Sequence, residues 1–143
     1  MFKKSIYIFF YPLFLINFFP LLSRSQVYRF RSINSSLTNL NDTTAKLVWK
    51  KDNTLIVQSM KDNTIKFYSP DEITLAWIES EVQEVGETEK FVKSRVKYSA
   101  IDANGEKCKF QIDMMKPKEV GYDAILYFWH DKEILTYMAN IIN

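Results

Sequence analysis

The chain has 143 residues, 19 of them basic and 17 acidic, for a formal net charge of +2. So even a balance gives a folded domain no electrostatic reason to seek nucleic acid. The single cysteine, Cys108, excludes an internal disulfide framework, and the single histidine, His130, excludes His-rich zinc sites and two-histidine facial triads.

The N-terminus reads Met1-Phe2-Lys3-Lys4, then an apolar run to Leu22, then Ser23-Arg24-Ser25. A charged start, an apolar middle and a small-residue exit form the layout of a secretory signal peptide. The run is near the lower limit for spanning a bilayer, roughly 17 to 25 residues. An uncleaved anchor is therefore the rival reading. Pro12, Asn17 and Pro20 weaken it, since Pro costs about 3 kcal/mol inside a helix. Ser23 and Ser25 favour cleavage before Gln26, and no Cys near the site supports a lipid anchor. The organisation expected is a signal helix over residues 1–25 and one β domain over residues 26–143. Export then places the protein in the periplasm or outside the cell, with membrane contact only through the signal segment. Removing Lys3, Lys4 and Arg24 leaves 16 basic against 17 acidic residues, so the basic excess belongs to the export segment.

Residues 26–143 alternate short apolar runs with turn signals, the spacing of all-β sandwiches and barrels. Val27–Ile33 reads as a first strand, and the polar stretch Asn34–Lys46 as a loop or covering segment. Within it, Asn34-Ser35-Ser36 and Asn41-Asp42-Thr43 match the glycosylation acceptor pattern, which matters only in a eukaryotic secretory pathway. Lys51-Asp52-Asn53-Thr54 recurs as Lys61-Asp62-Asn63-Thr64. Asp and Asn favour turns, so the copies predict a three-strand meander of Leu47–Trp49, Leu55–Val57 and Ile65–Tyr68. The even offset gives Leu55 and Ile65 one parity, and likewise Val57 and Phe67.

A long hairpin over Ile73–Gln83 and Lys93–Ile101 has an acidic tip, Glu84, Glu87 and Glu89 around Gly86. A turn centred near Thr88 pairs Glu79 with Lys97, Glu81 with Arg95 and Ile78 with Tyr98. The apolar phase shifts between Trp77 and Ile78, which predicts a bulge. The next hairpin, Val92–Met114, turns at Asp102-Ala103-Asn104-Gly105. A three-residue loop with a left-handed Gly pairs Tyr98 with Phe110, Ala100 with Cys108 and Val96 with Ile112, and makes one face wholly apolar. It also sets Arg95 opposite Asp113 and Lys97 opposite Gln111. Cys108 then falls on the apolar side, where a free thiol behaves as a small buried hydrophobe. Ala124–His130 is apolar on both sides and reads as a central or covered strand. Ile134–Ile142 is open between strand and short helix.

Trp49, the Leu55–Val57 strand, Ile65-Lys66-Phe67-Tyr68-Ser69 and Ala100–Cys108 resemble a loose group of small exported bacterial β proteins of unknown function. The likeness covers most of residues 47–138. It implies an antiparallel β-meander and assigns no functional residue. The meander also invites comparison with lipocalins, but the Gly-x-Trp start is absent, because Trp49 follows Leu47 and Val48.

The fold class expected is therefore all-β, an antiparallel meander forming a small barrel or sandwich of about eight strands. The function expected is a non-enzymatic binding or interaction module, with a lipocalin-like carrier of a small apolar ligand as the alternative. His130 and Asp131 read as a turn rather than a catalytic pair, because strand neighbours point to opposite faces. The carboxylates Glu79, Glu81, Glu84, Glu87 and Glu89 lack calcium-loop spacing and read as a solvated tip. No phosphate loop, nucleophile, metal ligand or cofactor is expected. The candidate ligand-binding residues are the aromatics Trp77, Tyr98, Phe110 and Trp129. The partner is an unidentified protein that docks by strand pairing, or a small apolar ligand held inside a barrel.

Overall fold

The computed structural model describes residues 26–42, 47–69 and 71–142. The signal segment and helix expected over residues 1–25 lie outside the described residues. Nine strands run in chain order: β1 (Val27–Asn39), β2 (Lys50–Lys51), β3 (Leu55–Ser59), β4 (Thr64–Tyr68), β5 (Glu72–Gln83), β6 (Val92–Ile101), β7 (Lys107–Met115), β8 (Ala124–His130) and β9 (Glu133–Ile142). One helical turn, α1 (Pro117–Val120), joins β7 to β8. Each of β3 to β8 pairs antiparallel with its successor, and β1 pairs with both β3 and β9. The eight strands other than β2 thus close into a barrel. Closure satisfies both edges of every strand along the seam, the arrangement that removes exposed strand edges.

The alternation of strand side chains divides the chain between two environments. Inward positions carry the core, including Phe30, Ile56, Ile65, Phe67, Leu75 and Leu126, all at most 2% exposed. Phe67 stacks on Phe128 at 5.7 Å and on Tyr137 at 5.5 Å, which joins strands from opposite sides of the barrel. An eight-stranded barrel is just wide enough for side chains to fill, or to hold one small ligand.

The β6–β7 hairpin has the register expected: Tyr98 opposite Phe110, Ala100 opposite Cys108, Val96 opposite Ile112 and Arg95 opposite Asp113. Its turn closes through Asp102 N–H to the Glu106 carbonyl at 2.9 Å, with Gly105 left-handed at φ 80°. Cys108 is buried, and burial pushes its thiol up to about 11. The pairing of β5 with β6 skips Ile78, so the expected bulge is present. Ile134–Ile142 resolves as strand, within β9.

Four expectations are corrected. The stretch Asn34–Asn39 is not loop but the second half of β1, paired residue by residue with β9 from Asn34↔Met138 to Asn39↔Glu133. Its polar side chains concealed it, because the ladder rather than apolar burial holds it. Leu47–Trp49 is no strand, and the two similar turns differ. Lys61–Thr64 is a true hairpin turn with Asn63 left-handed at φ 53°. Asp52 of the first copy instead accepts a short hydrogen bond from Ser32 and turns a corner between two partners of β1. The β3–β4 register pairs Ile56 with Phe67 and Gln58 with Ile65, so Leu55 and Ile65 face opposite ways despite their parity. Finally, β5–β6 pairs Glu81 with Lys97 and Gln83 with Arg95, two residues away from the expected register. The tip turn centres nearer Glu89 because the Glu89 carboxylate is fastened to Arg95.

Truncating Phe67 to Ala should cost about 3–5 kcal/mol in denaturant unfolding, from a cavity at the point where three aromatic rings meet. Leu37→Ala, at a position 57% exposed, should stay within about 0.5 kcal/mol.

Candidate functional site

The hollows among the described residues differ in their chemistry. The most apolar is a cup of about 320 Å³ inside one end of the barrel. Inward residues from five strands line it: Tyr28 and Phe30 of β1, Gln58 of β3, Val96 and Tyr98 of β6, Ile112 and Met114 of β7, and Ile141 of β9, with Met60 at the β3–β4 turn. This is the volume range of ligand pockets, roughly 300 to 1,000 Å³. The cup exists because β4 pairs with β5 only from Glu72 to Ala76, while β5 and β6 run on as a two-stranded arm. Beyond Ala76 the pairing with β4 stops, and inward-phase Val82 is 78% exposed.

Three polar side chains line the cup: Gln58, Tyr98 and Tyr28. The Gln58 amide donates to the Tyr98 hydroxyl at 2.9 Å. The Tyr28 hydroxyl donates to the Gln26 side chain at 2.6 Å. Burial raises the Tyr98 phenol above its usual range, and its oxygen accepts from Gln58. None of the residues lining the cup is charged.

The four candidate aromatics fall into two groups that share Tyr98 and Phe110. Trp77, Tyr98 and Phe110 meet inside the barrel: Tyr98 stacks on Phe110 at 4.2 Å, and Trp77 lies 5.1 Å from Tyr98 and 6.0 Å from Phe110. Tyr98 lines the cup, while Trp77 and Phe110 fill the interior beside it. Trp129 is on the outer face, opposite Lys109, and stacks on Tyr127 at 5.7 Å. It borders an open groove of about 740 Å³ that Tyr98 and Phe110 also line, with Glu79, Glu81, Lys97, Ser99 and Lys109. That groove is larger than the cup, but its floor is polar and its charges are of both signs. Sequence reasoning missed Gln58, Tyr28, Met60 and Met114. Gln58 could have been found from the alternation Ile56-Gln58-Met60, which puts a lone amide in the inward phase.

An ionic clamp fixes the arm next to the cup. Arg95 is bidentate to Asp113, at 2.8 Å from Nε and 2.8 Å from Nη2, and forks onto Glu89 at 2.8 and 3.1 Å. Gln111 adds an N–H to Asp113 at 2.8 Å, and Asp113 is only 1% exposed. The Arg95 hydrogen bond, with a second from the Gly86 N–H, holds the Glu89 carboxyl below its usual range.

At the opposite end, His130 Nε2 lies 3.2 Å from Asp102 and 3.8 Å from Glu106. The neighbour Asp131 is a left-handed turn residue at φ 54° and takes no part. Backbone N–H groups of Glu106 and Asn104, then His130, hold Asp102 below its usual value. These three side chains offer one ligand atom each within 4.8 Å, the donor set a divalent transition ion accepts. Their observed contacts tie the β6–β7 turn to the end of β8.

Arg95→Met should destabilise the fold by about 3–5 kcal/mol, because Asp113 would remain a buried charge without its cation. Glu89 and Asp102 have lowered folded values, so their contribution is fully present above their ordinary values of 4.5 and 3.8. It is lost as pH falls through the folded values, so thermal midpoints should hold from neutrality to about pH 5 and drop below it.

No family model matches the chain, and no curated protein or solved structure matches it either.

Proposed function

We propose that this protein is a non-enzymatic binding module that carries a small apolar ligand in the mouth of its barrel. The observation that carries this reading is the uncharged cup of about 320 Å³, built from five strands of a closed barrel and open at one end. Apolar walls supply affinity by burial, and a few placed polar groups supply orientation. The reading extends to export. Lys3 and Lys4, the apolar run and the small residues at Ser23 and Ser25 support delivery across a membrane, so the ligand is met in the periplasm or outside the cell.

A second reading, docking of a protein partner, is favoured by one feature. Residues 78–83 of β5 pair with β6 alone and leave one strand edge open. Ile78, 64% exposed, and Val82 on this arm are apolar. Glu79 and Glu81 stand along the same edge, and charges there discourage strand addition. Closure leaves little other edge among the described residues, which is why the cup is preferred.

Native mass spectrometry of the protein purified from its expressing cells separates the two. A mass excess of a few hundred daltons, lost on denaturation and regained with added medium-chain alcohols, is the expected result. A bare mass that takes up no such probe, particularly as a dimer, would move the assignment to the open arm.

A further inference from the structure

The cup's polar groups specify more than apolarity. Gln58 is only 3% exposed, yet among the described residues its side chain makes one hydrogen bond, to Tyr98. A glutamine amide carries two N–H donors and a carbonyl acceptor, so one N–H and the carbonyl are left over. The Tyr98 oxygen accepts from Gln58, and the phenol proton has no acceptor among the described residues. Ser36 Oγ is the one described buried side-chain atom sealed away without a partner, so the unpartnered Gln58 carbonyl oxygen is not sealed off and opens onto free space beside the Tyr98 hydroxyl. Both residues line the cup, the one hollow described that Gln58 borders, while Tyr98 borders the open groove as well. The Tyr28 hydroxyl is already satisfied by Gln26 and adds no demand of its own.

Buried polar groups are paired with protein, water or ligand. A ligand that fills the cup and displaces water must therefore supply a hydrogen-bonding group at this pair. Its charge is limited as well. A carboxylate would be desolvated with no Arg, Lys or His on the lining, and an ammonium with no Asp or Glu. We infer that the cup selects neutral amphiphiles, molecules with an apolar chain or ring and one uncharged hydroxyl or carbonyl seated on Tyr98 and Gln58. This inference rests on the cup being the ligand site. It names the class of ligand: medium-chain alcohols, ketones or compounds of that polarity, rather than fatty-acid anions or alkylamines.

Calorimetric titration with octane, 1-octanol, 2-octanone, octanoate and octylamine at pH 8 tests it, on the wild type and on Tyr98→Phe. Octanol and octanone should bind at least about tenfold tighter than octanoate or octylammonium. Tyr98→Phe should cut the octanol-to-octane affinity ratio by about tenfold while octane binding is kept. Should Tyr98→Phe fail to fold by circular dichroism, Gln58→Leu supplies the same ratio, with the same expected fall. Tightest binding by octanoate, or a ratio unchanged in the folded variant, would overturn the inference while leaving the cup as the site. If none of the five probes binds the wild type, the cup reading itself fails.

Discussion

The seam between β1 and β9 is the constraint on which the rest of the structure depends. β1 is 13 residues long and pairs with β9 from Arg29↔Ile142 to Asn39↔Glu133, while its other edge meets β3 and then β2. Without the seam, β3 to β9 would be an open meander with two long free edges. With it, the inner faces of eight strands converge on one axis, and Phe30, Phe67, Phe110 and Phe128 share one interior. The join is not regular. The register shifts between Ser32 and Asn34, beside the point where Asp52 accepts from Ser32 and the Thr54 N–H meets the Ser32 hydroxyl at 2.7 Å. A bulge sharpens local twist and bends its strand. Here it sits where β1 leaves β3 for β2.

Closure also accounts for the asymmetry of the ends. At one end the β6–β7 turn lies against β8 through Asp102 and His130. At the other, β5 and β6 outrun β4, so the barrel opens. The arm is held by Arg95 between Asp113 on β7 and Glu89 at its own tip. This clamp lies on the outer face, away from the ligand space, so the charges that fix the arm do not enter the cup. Position and polarity of the cup are thus separate consequences of strand length and of side-chain phase.

Much of this was legible in the sequence where side-chain alternation and turn chemistry agree. For β6 and β7, Asn104-Gly105 fixes the loop and the alternation of Tyr98, Ala100, Phe110 and Cys108 fixes the register. The Ile78 bulge was legible as a change of apolar phase. The second half of β1 was not, because Asn34–Asn39 has no apolar period, and its strand character comes from a partner about a hundred residues away. The β5–β6 register was hidden by its long tip, whose turn is set by the Glu89–Arg95 pair rather than by a local motif. Within the site, Tyr98 and Phe110 followed from the hairpin. Trp129 carries no local sign of which side it takes, since β8 is apolar on both faces and only closure distinguishes them. Gln58 was overlooked because one amide in a short apolar strand reads as surface until the inward phase of that strand is known.

The most direct test of this account is amide hydrogen exchange along the β1–β9 seam. The account predicts that the N–H groups of Asn34–Asn39 that donate to β9, and their counterparts in Glu133–Met138, exchange as slowly as those of the β7–β8 ladder. Exchange at the rate of an open edge would contradict closure, and with it the enclosed cup.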